Sequence, residues 1–158
     1  MMKRTLVATI LLLGLSCAGL ASAQARQTVS NQPIMIGADD GEATNVGFAL
    51  RGRAEVTQGT NRLRANTIDG VSSNGAVSRV TASGDVYYVT PNETIRGDSA
   101  IYSVDAATIV VTGDVILTQG RNVLTGRRLT YNIDTGQARM DGGDNGRIRG
   151  VFFPEGAN

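Results

Sequence analysis

GDVYYVTPNETIRGDSAIYSVD, residues 84–105, is followed in the same register by GDVILTQGRNVLTGRRLTYNID, residues 113–134. A shorter copy starts at Gly52. In all three, the leading glycine (Gly52, Gly84, Gly113) stands eleven positions before an apolar residue (Leu63, Ile95, Leu124) and thirteen before a small one (Ala65, Gly97, Gly126). The two longer copies also align Tyr102-Ser103-Val104-Asp105 with Tyr131-Asn132-Ile133-Asp134, and another glycine follows eight residues after each Asp. A period of about thirty residues marks one supersecondary unit stacked on its neighbours.

Within each copy the apolar residues alternate and the breaks fall at Gly, Asn and Asp, with no helical period. This is an all-β pattern, and parity assigns the faces. Phe48 and Leu50 lead to Gly52, Ala54 and Val56 on one face, with Arg51, Arg53 and Glu55 on the other. After the turn Gln58-Gly59-Thr60-Asn61, Leu63 and Ala65 point inward and Arg62 and Arg64 outward. Val86 and Tyr88 are the inward pair of the second copy, Val115 and Leu117 of the third.

The step from Leu63 to Ile68 is five residues, as are those from Ile95 to Ala100 and from Leu124 to Leu129. An odd step swaps the face of a period-two strand, so the chain must bulge or turn a corner at Ala65-Asn66, Gly97-Asp98 and Gly126-Arg127. Beyond the corner Tyr102 and Val104, or Tyr131 and Ile133, continue on a second layer. The return strands carry Ile109 and Val111, or Ala138 and Met140. The architecture expected is two β layers joined at repeated corners, a sandwich or folded trough. Short strands at Ile34-Met35-Ile36 and over residues 147–153 should form its edges, carrying Ile34, Ile36, Ile148, Val151 and Phe153. Edges with unpaired backbone groups are docking surfaces unless they are covered.

The first 23 residues read as a cleavable signal peptide: Lys3 and Arg4, an apolar run from Leu6 to Leu15, and Ala21-Ser22-Ala23 as the cleavage site. The run is too short to span a bilayer. A lipoprotein signal ending at Cys17 is the rival, disfavoured by Gly14 where leucine is preferred. The remaining 24–158 form one domain. That segment has no Cys, His, Trp or Lys, and thirteen Arg against fourteen acidic residues leave a net charge of −1. This excludes a basic nucleic-acid binder, a disulfide scaffold and His- or thiol-based catalysis. Asp39-Asp40-Gly41-Glu42 lacks the alternating oxygen ligands of an EF-hand and reads as a turn.

Gln32-Pro33-Ile34-Met35-Ile36, the run from Gly52 to Asn66 with its Val56-Thr57-Gln58-Gly59-Thr60 turn, the echo at Leu117-Thr118-Gln119-Gly120 and the recurrent Gly-Asp-Val resemble the OstA-like family over nearly the whole of 24–158. The resemblance implies an open antiparallel β-jelly roll with an apolar interior, located in the periplasm. It implies no enzymatic activity and no cofactor or metal. Its subunits would join head to tail through edge strands and bridge the periplasm, with the acyl chains of lipopolysaccharide (lipid A) sliding inside. The partners implied are an inner-membrane-anchored component C and an outer-membrane component D. Carried over residue by residue, the lipid-facing positions fall on Ile34, Ile36, Tyr102 and Val104, with Tyr88 as the inward aromatic. The parity set adds Phe48, Val86, Ile109, Val115, Leu117, Tyr131 and Ile133 as acyl-chain contacts.

The family's small-Asp corner pair is kept only at Gly97-Asp98; Ala65-Asn66 and Gly126-Arg127 depart from it. Periodicity does not separate a trough from a closed core. A membrane-tethered feeder of the same transport system and a structural polymerising β protein therefore stand as alternatives. The outward arginines read as a solvated surface with Glu55 as counter-charge, and Arg127 and Arg128 as rim candidates for phosphate.

Overall fold

The computed structural model describes residues 31–144 and 146–154; the expected signal peptide and Cys17 lie outside them. Ten strands and no α-helix occur among the described residues: β1 (Ile34–Gly37), β2 (Asp40–Thr44), β3 (Gly47–Gln58), β4 (Asn61–Ser73), β5 (Ala76–Val89), β6 (Glu93–Ser103), β7 (Thr108–Gln119), β8 (Asn122–Asn132), β9 (Ala138–Asp141) and β10 (Arg149–Val151). They form one antiparallel sheet in the order β1-β3-β4-β5-β6-β7-β8-β10. β2 lies beside β3 and β9 beside β8. The sheet is open and does not close into a barrel.

The six long strands make a plain meander, and each is interrupted near its middle. The ladder between β3 and β4 shifts between Arg51 and Ala54, that between β5 and β6 between Ser83 and Val86, and that between β7 and β8 between Thr112 and Val115. A row of such bulges bends the sheet across its strands. The result is two wings. One holds the strand halves next to the turns at 58–61, 90–92 and 120–121. The other holds the halves next to the turns at 74–75, 104–107 and 133–137. β1 and β10 edge the first wing, through Val56 and Leu124; β2 and β9 edge the second, through Leu50 and Leu129.

The face swap expected from the five-residue steps is present. In β4, Leu63, Ala65, Ile68 and Gly70 are buried; in β6, Ile95, Gly97, Ala100 and Tyr102. Three expectations are corrected. The layers are wings of one continuous sheet rather than separate sheets. The extra residue of each bulge sits at Gly52-Arg53, Gly84-Asp85 and Gly113-Asp114, opposite the small residues rather than on them. Gly52 is therefore exposed, not inward. Its φ is +73°, that of Gly84 +78° and that of Gly113 +107°, a region costly for residues with a Cβ. Under each glycine lies the residue following the small one of the neighbouring strand: Asp39 under Gly52, Asn66 under Gly84, Asp98 under Gly113. Ala38-Asp39 is thus one more copy of the corner. The acidic run is not a turn as expected: Asp39 sits at the bend and Asp40 opens β2.

One apolar cluster fills the space between the wings. Ile68, Ile95, Ile109, Leu129, Val80, Val86, Val111 and Val115 are its fully buried side chains. Burial of each aliphatic side chain stabilises the fold by about 1.5–3 kcal/mol.

Candidate functional site

The inner face is apolar except along the seam where the free ends of the wings meet. There Gln58 and Asn61, 6 % and 5 % exposed, are the buried polar residues among those described. Tyr102, from the second wing, donates its hydroxyl to Gln58 Oε1 at 2.8 Å. Gln58 Nε2 donates to the carbonyl of Gln32 at 3.0 Å, which ties down the approach to β1. Asn61 Nδ2 donates to the Tyr88 hydroxyl at 2.7 Å. The rings of Tyr88 and Tyr131 meet across the seam with centroids 6.0 Å apart and planes at 60°, a tilted aromatic contact. The Tyr131 hydroxyl lies against Thr90 and Glu93 of the opposite wing.

These phenols are hard to ionise. Burial holds Tyr88 well above the usual range, with Tyr131 adding to the effect and the Asn61 bond opposing it. Tyr102 is pushed up to about 12, first by burial and then by Asp134, against the Gln58 bond. Tyr131 is also pushed up to about 12, by burial and then by the Glu93 carboxylate.

Behind this row lies an apolar cleft lined by Val56, Gln58, Asn61, Leu63, Tyr88, Tyr102, Ile109 and Ile133. Its volume is about 20 Å³, room for one water molecule and no hydrocarbon chain. The wings are in contact as the chain stands.

Of the residues expected to meet acyl chains, Val86, Ile109 and Val115 are wholly inside the core, with Tyr88, Tyr102, Tyr131 and Ile133 at its seam side. Ile34, Phe48, Val104 and Leu117 are half-buried against it. Ile36 pairs with inward Val56 yet is 47 % exposed, because β1 is an edge strand. The edge residues Ile148, Val151 and Phe153 are exposed, and Arg121 stacks over the Phe153 ring at 4.2 Å. Gln58, Asn61, Thr90 and Glu93 were missed as site residues; Gln58 and Asn61 fall in a Gln-Gly-x-Asn that recurs at 119–122, and Thr90 and Glu93 lie outside it.

The outer face carries the arginines. Arg51 pairs with Asp69 at 2.8 Å, Arg62 and Arg64 approach Glu55 at 3.5 and 3.7 Å, and Arg53 binds Asp39. The Arg53 hydrogen bond holds the Asp39 carboxyl below its ordinary value. Such exposed pairs contribute little to stability. Arg127 and Arg128 are exposed, with Arg127 3.5 Å from Asp114. No group of three or more metal-ligating side chains occurs among the described residues.

A single antiparallel sheet bent along a row of bulges, with an apolar inner face and free edges, defines an open β-jelly roll. The model of the family described as "LptA/(LptD N-terminal domain) LPS transport protein" matches residues 36–137. The chain belongs to that family of lipopolysaccharide transport proteins and is LptA-like. An uncharacterized protein of Rhizobium meliloti (strain 1021) is 30 % identical over 133 residues, covering 75 % of this chain and 70 % of the relative. The crystal structure of LptH, the LptA-homologous periplasmic component of the conserved lipopolysaccharide transport device from Pseudomonas aeruginosa, superposes with a TM-score of 0.71 at 24 % identity. That match covers 81 % of this chain and all of the other.

Proposed function

We propose that this protein is a periplasmic carrier that holds the acyl chains of lipopolysaccharide between its wings and passes them along a head-to-tail row of subunits. The observation that carries the reading is a continuous apolar inner face on a sheet whose wings are joined along one side only, in a chain of this transport family. Exposing one CH₂ to water costs about 0.8 kcal/mol, so an acyl chain of roughly a dozen carbons faces a penalty on the order of 10 kcal/mol in open water. An aliphatic channel removes that penalty, and its contacts have no direction, so a chain can slide. The subunits would meet through the edges β1 and β10, fed by an inner-membrane component C and emptied by an outer-membrane component D. No step of this work needs bond chemistry, and we assign the protein no enzymatic role.

One observation favours a second reading, a structural β protein that polymerises without cargo: the inner face is packed, and the cleft behind the tyrosine row holds only about 20 Å³. On the carrier reading the wings part as the chains enter. Mass spectrometry of the lipid that co-purifies from the native envelope separates the two. The carrier reading predicts lipopolysaccharide with the wild type and much less with Ile36→Asp or Val104→Asp. Filaments free of lipid would overturn it.

A further inference from the structure

We propose that the hydrogen-bonded tyrosine row along the seam is a latch, in which the Tyr102–Gln58 bond, beside the stacked Tyr88 and Tyr131, holds the wings together and must open before a hydrocarbon chain can enter between them. The latch rests on the carrier reading.

The argument is one of replaceable and irreplaceable contacts. Nearly every contact between the wings is aliphatic: Ile68, Ile95, Ile109, Leu129 and the core valines. A methylene chain entering among them exchanges one apolar neighbour for another at little cost, because such contacts are non-directional. The seam differs. The Tyr102 hydroxyl donates a hydrogen bond to Gln58 Oε1 across the wings at 2.8 Å, and both residues are buried. Hydrocarbon can take the place of neither partner. Parting the wings here therefore breaks the Tyr102–Gln58 bond with no hydrocarbon replacement for it until water or lipid polar groups arrive, while Gln58 Nε2 keeps its bond to the Gln32 carbonyl.

The neighbouring contacts fix the geometry. Asn61 holds the Tyr88 hydroxyl at 2.7 Å, which orients that ring against Tyr131. Tyr131 in turn meets the turn bearing Thr90 and Glu93. Glu93 Oε1 accepts from Gln119 Nε2 at 2.8 Å, while its buried Oε2 has no hydrogen-bond partner. The row thus spans β3, β4, β5, β6 and β8, and the narrow apolar cleft lies directly behind it. A polar row over an apolar slot sets a threshold: water alone does not part the wings, and a guest that fills the slot repays the broken bonds by its own burial.

The test uses Gln58→Cys with Tyr102→Cys in the full chain, with Cys17→Ser removing the native thiol. Unbridged, this variant has lost the latch; bridged by bis-maleimidoethane, its wings are tied. The probe is dansyl-undecanoic acid, followed by fluorescence. The latch predicts faster uptake than wild type without the bridge and a drop of about tenfold or more with it. Tyr102→Phe, which keeps the ring, should speed uptake roughly three- to tenfold, the factor that a hydrogen bond of ordinary strength controls. Equal uptake by bridged and unbridged protein, or an unchanged rate in Tyr102→Phe, overturns the latch while leaving the carrier reading in place. Failure of the wild type to take up either this probe or lipopolysaccharide overturns both. Should the double variant not fold, Tyr102→Phe decides alone, with its melting temperature as the check on structure.

Discussion

Gly113 shows how one residue positions a bend. Its φ of +107° is reserved in practice for glycine, and a Cβ there would press on the Asp98 carboxylate. Gly113→Ala should cost about 2–4 kcal/mol, combining backbone strain with the displaced carboxylate. Gly37→Ala, with nothing near its Cβ and no positive φ, should stay within about 0.5 kcal/mol. Urea unfolding of the two variants measures the contrast. The seam tyrosines make a second prediction, with a sign set by linkage. Tyr102 and Tyr131 titrate near 12 in the folded protein against 10.0 in the free side chain, so the unfolded chain loses those protons first. The stability they lend is fully present below pH 10 and declines from there through pH 12. Melting temperature against pH should show this fall, and Tyr102→Phe should make it shallower. These residues also mark the limit of reading by pattern. Tyr88, Tyr102 and Tyr131 were legible as inward from parity. Gln58 and Asn61 were not, because Gln-Gly-x-Asn is ordinary surface turn chemistry and their partners are distant along the chain, Tyr102 being 44 residues from Gln58 and Tyr88 27 from Asn61.

At the scale of the strand, the five-residue step was the informative signal. Leu63 to Ile68 told that the chain changes face, and the ladders change register there. What the count could not assign was which strand carries the extra residue. Running period two through Gly52 placed it inward, whereas the bulge at Gly52-Arg53 breaks the parity at that point. The edges were legible for a simpler reason: nothing in the repeats could pair beyond Ile34-Met35-Ile36 or Arg149-Gly150-Val151. Among the described residues, β1 bonds to β3 alone and β10 to β8 alone. Met35, Ile36, Val151 and Phe152 remain exposed beside them. Apolar side chains next to unpaired strand edges suit strand addition by another subunit. Val151→Pro removes a backbone donor from β10 and should shift the assembly toward monomers in light scattering. An unchanged size distribution would count against docking at this edge.

For the whole molecule, the decisive property is that a bent sheet with one joined side can part without losing its strand ladders. Opening it would break side-chain contacts between the wings and leave the hydrogen bonds along β3 to β8 intact. That separates this fold from a closed barrel, where admitting a guest means breaking backbone pairs. It also explains why composition alone could not decide between a sealed core and a channel. Val86, Ile109 and Val115 satisfy both: they are buried against the core here, and on the proposed carrier reading they would line a guest. The arginines on the outer face keep the surface hydrated in either state, with Glu55 and Asp69 as counter-charges.

Site-specific photo-crosslinking to lipopolysaccharide tests most directly that the cargo travels between the wings. With a photoreactive residue at Ile36 or Val104, on the inner face, we predict adducts with lipopolysaccharide. With the same residue at Arg62 or Arg64, on the outer face, we predict none. Adducts from the arginine positions alone would contradict the account.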